Sequence, residues 1–319
     1  MFRQDFWSEV FQLHGSVTPY VLLRVMIFVA IATVVFTVDE LTGIQTGLVV
    51  APYEIVGVVL ALLLVIRTNA GYDRWYEARK LWGSIVNQSR NLATIGAVYG
   101  PRDRGWQEEF TRWTAAFPHA CRHLLRNETD FQDLEHLLGA ERAAQLAATK
   151  HAPLFVAGKI ASLLRQALHR EQFDRFAFLQ AEHERASLID HIGGCERILK
   201  TPLARVFSIK IRRFIFLYLI ALPVAIVDKT GLSTPLIVLV VAYPLLSLDQ
   251  IGIELQNPFS RDRLSHLPID EIAKNIEANV FDAQHLAEQF DEEGDEADSL
   301  TACGPRFPTR PDVGQARSA

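Results

Sequence analysis

His119 and His123 lie four residues apart with Cys121 between them. On a helix of about 3.6 residues per turn the two imidazoles share a face, and such a pair can hold a metal. No third ligand stands beside them, so two surface histidines on an amphipathic helix is the simpler expectation. His183, flanked by Glu182 and Glu184, reads the same way, as a solvated face. The three cysteines (Cys121, Cys195 and Cys303) are odd in number and scattered. They make neither a disulfide framework nor a CxxC metal site, and they suit a reducing compartment. No P-loop, GxGxxG, GxSxG or HExxH pattern occurs. Neither catalytic residues, nor a metal site, nor a cofactor is expected, and the chain reads as a non-enzyme.

A different chemistry is written between residues 58 and 82. Val58, Leu62 and Ile66 recur every four residues, and Asp73 falls about 20° from Ile66 in helical projection. The stripe thus runs from apolar to acidic within one continuous pattern. Arg67, Thr68, Asn69, Tyr72, Arg74, Trp75, Glu77 and Trp82 make the rest of that stretch dense in polar and aromatic groups. One helix cannot enclose a pore, but a ring of identical helices can, through closed cyclic symmetry. In such a ring apolar side chains gate by dewetting, and a ring of carboxylates concentrates cations. The plain alternative is a packing seam, with Asp73 paired to an arginine at a subunit contact.

The elements that must carry this stripe are apolar helices. Mean hydropathy is only +0.11, yet the apolar residues sit in two blocks. Tyr20 to Val38 and Leu48 to Ile66 are windows of 19 residues each, about 28 Å as helix and close to a hydrocarbon core. Phe214 to Val227 and Leu232 to Leu248 form the second pair, carrying Pro223, Pro235 and Pro244. Lipid-embedded helices tolerate such prolines when neighbours satisfy the freed backbone groups. The flanks set the orientation. Arg67, Arg74, Arg79 and Lys80 follow the second span, Arg205, Lys210, Arg212 and Arg213 precede the third, and Arg261 and Arg263 follow the fourth. Basic flanks stay inside, so both termini and the middle segment are expected in the cytoplasm, with the spans in the plasma (inner) membrane. No apolar run precedes Tyr20, so no cleavable signal peptide is expected. The net charge of −5 offers no basic footprint for a nucleic-acid partner.

The fold class is therefore all-α: a multi-pass membrane protein with four transmembrane helices and a large cytosolic helical bundle. The expected division is 1–19 as a cytosolic N-terminal segment, 20–70 as transmembrane helices 1 and 2, and 71–204 as the bundle. Residues 205–255 follow as transmembrane helices 3 and 4, 256–290 as a cytosolic helical segment, and 291–319 as a disordered tail. Pro101 to Gly105 and Pro153 mark breaks within the bundle, Gly193-Gly194 interrupts a further helical pattern, and Pro202 stops it.

The run Arg67-Thr68-Asn69-Ala70-Gly71-Tyr72-Asp73-Arg74-Trp75-Tyr76-Glu77-Ala78-Arg79-Lys80-Leu81-Trp82-Gly83 resembles the bacterial branch of the bestrophin family. So do Gly194-Cys195-Glu196-Arg197-Ile198 with Thr201-Pro202, and Asn257-Pro258-Phe259 leading to Leu267-Pro268-Ile269-Asp270. The resemblance implies a homopentameric ion channel with one axial pore, its partners being further copies of itself, membrane lipid and monovalent ions. It also implies a neck lined by three apolar residues of the second membrane helix, here Val58, Leu62 and Ile66. A second, cytosolic constriction is implied ahead of the Gly-Cys-Glu-Arg motif, with Phe176 the candidate. Animal members carry a calcium-binding acidic cluster after Asn-Pro-Phe; here Ser260-Arg261-Asp262-Arg263 puts two cations there. Animal members pass chloride and other anions, whereas some bacterial relatives pass cations, and an Asp73 ring leans toward cations. A secondary transporter, with Glu54 beside Pro52 and proline-broken third and fourth spans, is one competing reading. A membrane-anchored scaffold using its cytosolic bundle is the other.

Overall fold

A computed structural model describes residues 6–13, 15–43 and 48–302, and among these there are helices and turns but no strands. A short helix α1 (Phe6–Val10) precedes α2 (Thr18–Thr42), which starts with Pro19 in its first turn and closes on Gly43. Next comes α3 (Ala51–Tyr99), 49 residues without a break and about 73 Å long at roughly 1.5 Å per residue. Its length follows from the absence of any proline between Pro52, in the first turn, and Pro101, beyond the end. The bundle helices follow: α4 (Arg104–Arg126), α5 (Glu135–Leu138), α6 (Ala140–Ala147), α7 (Ala152–His169) and α8 (Arg175–Lys200). Asp103 caps α4 by accepting from the Gly105 amide, and Asp174 caps α8 by accepting from the Phe176 and Ala177 amides. The chain then makes α9 (Arg205–Thr230), α10 (Thr234–Glu254) and α11 (Ile269–Ala302).

Three helical stretches are long and apolar enough to cross a membrane: Thr18–Thr42, Ala51–Tyr99 and Arg205–Glu254. The last is divided at Gly231, whose φ of +49° favours glycine, and the turn there folds α10 back against α9. Val21, Val25, Leu60, Leu64, Ile215, Leu219, Val238 and Ala242 form one core where α2, α9, α10 and the first part of α3 meet. The outer faces of these helices are apolar too: Leu23, Met26, Val59, Leu217 and Leu236 are all exposed. Helices apolar on both faces need an apolar solvent, which is what a bilayer supplies.

A second core holds Trp82, Ile85, Leu92, Trp106, Phe110, Phe117, Leu164, Leu188, Phe259 and Ile276. It belongs to the rest of α3 with α4, α7, α8 and α11. The division expected at 70/71 thus falls inside α3, one helix serving two cores.

Four expectations are corrected. Gly193-Gly194 does not interrupt α8, which runs through to Lys200. A Cβ at Gly194 would sit 2.9 Å from Leu81 Cδ1, so the small residue admits α3 rather than breaking the helix. His119 and His123 are buried, because α4 is enclosed by α3, α7 and α11 and buries side chains nearly all round. His183 is exposed as expected, but its neighbour Glu184 is buried and accepts from Gln180 at 2.8 Å. The expected tail is helical over residues 291–302, because extending an existing helix costs far less than nucleating one. Residues 303–319 of that tail lie outside the described residues.

Candidate pore face and buried ion-pair network

The first half of α3 has two unlike faces. Leu60, Leu64, Arg67 and Gly71 are buried against the chain's own helices. On the other side Val58, Leu62 and Ile66 are 71%, 60% and 51% exposed. Asn69 and Asp73 continue that exposed face, and Asp73 has no ion-pair partner among the described residues. Tyr72 and Tyr76 stack beside it with ring centroids 6.0 Å apart, and the Lys80 ammonium lies 5.0 Å from the Tyr76 ring centre. The fold therefore keeps the apolar triplet and Asp73 on one uncovered stripe and leaves both arginines off it.

Those arginines do structural work. Arg67 is fully buried and its Nη1 pairs with Asp249 Oδ1, while Arg212 Nε donates to Asp249 Oδ2 at 3.1 Å. One carboxylate thus joins α3, α9 and α10 at the end of the apolar core. Gln250 and Glu254 form a separate pair beside it on α10, with Gln250 Nε2 donating to Glu254 Oε1 at 2.8 Å. Glu254 Oε2 in turn accepts from the Leu264 amide at 2.9 Å.

Arg74 serves helix ends. Its guanidinium donates to the carbonyls of Ile198 and Thr201 at 2.5 and 2.6 Å, and to that of Gln256 at 3.3 Å. Carbonyls at helix C-termini lack intrahelical partners and carry partial negative charge, so a cation satisfies both needs. Neither Arg67 nor Arg74 hydrogen-bonds Glu77, whose partner is Arg197 at 2.5 Å.

The other motif residues fasten the segment after α10 to the bundle. Trp75 Nε1 donates to the Ser265 carbonyl at 2.7 Å, and Trp82 is buried in the second core. Asn257 Oδ1 accepts from the Phe259 amide at 3.1 Å, which turns the chain so that Phe259 is buried. The Pro258 carbonyl accepts from the Leu267 amide at 2.7 Å, and Arg126 Nε donates to the Phe259 carbonyl at 3.2 Å. Phe176 is 82% exposed at the start of α8.

Sequence reasoning missed Asp249, and the signal was a single carboxylate directly after an apolar span. It also missed a charged cavity of about 780 Å³ between α4 and α11. There His119 Nε2 and His136 Nε2 share the Glu277 carboxylate at 2.8 and 2.9 Å. Burial pushes the His119 imidazole below its usual pKa, while the hydrogen bond to Glu277 raises that of the more exposed His136. Among the described residues no three His, Cys, Asp or Glu side chains are arranged to hold a metal ion.

Asp270 sits at the rim, with both oxygens 2.7 Å from Arg126 Nη1 and Oδ1 accepting from Arg261 Nη2 at 2.9 Å. Burial raises its pKa, but the two arginines outweigh that and hold it at about 2. A carboxyl depressed in the folded state contributes stability above its unfolded pKa of roughly 3.9 and loses it as pH falls toward the folded value. The melting-temperature gap between wild type and Asp270→Asn should therefore be widest near neutrality and should close between about pH 4 and 2. A gap that stays constant over that range would show that Asp270 is not held this way.

A model of the bacterial and fungal bestrophin proteins matches residues 2–282. Among curated proteins, the voltage-dependent anion channel-forming protein alr2987 of Nostoc sp. is 34% identical over 287 residues, covering 88% of this chain and 92% of the relative. The voltage-dependent anion channel-forming protein YneE of Escherichia coli K12 is 30% identical over 290 residues, covering 90% and 94%. A crystal structure of a bacterial bestrophin homolog from Klebsiella pneumoniae superimposes with a TM-score of 0.77 at 25% identity, over 83% of this chain and 98% of that one. The family's signature therefore spans both cores and the helix that joins them, and the chain belongs to the bacterial and fungal bestrophin family.

Proposed function

We propose that five copies of this chain form an ion channel in the plasma membrane, with α3 of each copy lining a common axial pore. Four apolar helices per copy span the bilayer: α2, the first part of α3, α9 and α10. Both termini and the second core lie in the cytoplasm. The observation that carries the reading is the uncovered stripe on one unbroken helix, apolar at Val58, Leu62 and Ile66 and acidic at Asp73. The apolar triplet forms the neck gate, since a narrow apolar tube does not replace an ion's hydration. Phe176 forms the cytosolic constriction, its side chain free at the capped start of α8. Relatives named as anion channel-forming proteins support passage of monovalent anions such as chloride. They also favour a channel over a transporter, a scaffold or an enzyme.

Planar-bilayer recording of the purified protein tests the channel. Resolved unitary currents, with a particle mass of five subunits, are expected. A folded oligomer that never gives them rejects the reading and leaves the transporter or scaffold.

The exposed Asp73, without an ion-pair partner among the described residues, favours a second reading of the ion's sign, because five such carboxylates repel anions and concentrate cations. Reversal potentials in asymmetric salt separate the two. If the ring sets selectivity, the wild type prefers cations and Asp73→Asn shifts the reversal potential toward the anion side. A wild type that strongly prefers chloride, or a variant with no shift, removes Asp73 from that role.

Calcium should not open this channel. Arg261 is held by Asp270 at 2.9 Å and lies 3.6 Å from Glu128, and Arg263 lies 3.8 Å from Glu254. Guanidinium groups thus occupy carboxylates that a calcium ion would need as oxygen donors. Open probability should stay flat as cytosolic calcium is raised to about millimolar, the range of weak protein sites. Steep activation would contradict the assignment.

A further inference from the structure

A cleft of about 360 Å³ opens between α2, α9 and α10 beside the Asp249 network. Two guanidinium groups line it, Arg24 from α2 and Arg212 from α9, with Ile27, Phe28, Ile215, Phe216 and Leu246 as apolar walls and Asp249, whose two oxygens are taken up by Arg67 and Arg212, beside them. Phe28 and Phe216 meet edge to face at 6.3 Å between centroids and brace the walls. Each arginine has one tether, to α10. Arg212 donates through Nε to Asp249 at 3.1 Å with its side chain half exposed, and Arg24 reaches Gln250 Oε1 at 3.5 Å. The remaining guanidinium N–H groups have no partner among the described residues, and a guanidinium can donate two parallel bonds to one acceptor. Residues 205–213, which lead into the cleft, carry Arg205, Lys210, Arg212 and Arg213 and no acidic residue.

We propose that this cleft binds an anionic phospholipid, its phosphate held by Arg24 and Arg212 and an acyl chain lying along Ile27, Phe28 and Phe216. Charge and shape select this occupant together. A free phosphate would use the two arginines and leave the apolar walls wet, while an uncharged lipid would fill the walls and leave the arginines unanswered. The reading rests on α2, α9 and α10 crossing the bilayer with this end at the headgroup level, where juxtamembrane basic residues attract anionic lipid.

The test starts from delipidated pentamer and vesicles of phosphatidylcholine with or without phosphatidylglycerol. Lipid retained per subunit is counted after re-extraction. Phosphatidylglycerol should be retained over phosphatidylcholine, and Arg24→Gln should reduce that retention about five-fold, the equivalent of one basic residue at an anionic surface. Ile27→Trp should reduce it by filling the cleft while leaving both arginines in place. Arg24→Lys should keep part of it. Melting temperature and oligomer mass of each variant establish that the fold is intact.

Equal retention of the two lipids overturns the proposal, as does phosphatidylglycerol retention indifferent to both Arg24→Gln and Ile27→Trp. So does displacement of bound lipid by millimolar inorganic phosphate alone, which would mark a simple anion site. Cross-linking of Ile27→Cys to a second subunit overturns it by showing the cleft covered by another copy. Flotation of the protein with the vesicles separates these failures from failure of the membrane reading: a protein that does not float refutes the spanning helices, and one that floats without selecting lipid refutes only the cleft.

Discussion

Asp249→Ala should destabilise the protein by about 3–5 kcal/mol, the usual cost of removing one partner from a buried ion pair. The loss falls on Arg67, whose guanidinium is fully buried and whose Nε and Nη2 already lack partners among the described residues. Without the carboxylate that charge is left in an apolar core where water does not reach it. Against total stabilities of about 5–15 kcal/mol, the variant should express poorly or melt far below the wild type in detergent. The pair joins residues 182 positions apart, so its loss should also loosen α3 from α10. A double variant, Arg67→Met with Asp249→Leu, should recover much of the melting temperature, because an apolar pair of similar volume carries no desolvation penalty. If Asp249→Ala melts with the wild type, the network is not what holds the two helices together.

The other large effect is expected at the neck. Leu62→Ala with Ile66→Ala should raise unitary conductance several-fold by widening and wetting the narrowest stretch. Both side chains are exposed within the subunit and fill no part of its core. Truncation should therefore cost the subunit's own fold little, within the range of about 0.5 kcal/mol typical of surface substitutions. That separation makes the experiment clean, since a conductance change without a melting change points to the pore. Unchanged currents in a folded double variant would remove both residues from the conduction path, leaving the stripe as a packing seam.

The two predictions differ in how far the sequence alone could have reached them. The stripe of Val58, Leu62, Ile66 and Asp73 is legible because it is periodic, and α3 keeps that periodicity unbroken since no proline intervenes. The break at Pro101 and the apolar pair before Asp249 are legible for the same reason: backbone preference and hydropathy are local properties. The pairing of Arg67 with Asp249 is not local, and nothing in either flanking sequence names the partner. The same limit explains His119 and His123. Their spacing and the amphipathic pattern of α4 predict a surface, but α3, α7 and α11 close over the helix from several sides, so a face that is polar in sequence is buried in the fold. Gly194 shows it from the other direction. By itself a helical glycine costs about 1 kcal/mol and reads as an interruption. Only the approach of Leu81 shows that the missing side chain makes room for α3. Sequence determined where the long apolar spans lie and which stripe of α3 is apolar, because those depend on neighbours within a turn or two. Tertiary structure decided which charges are buried and what neutralises them, because those depend on helices that meet only when the chain has folded.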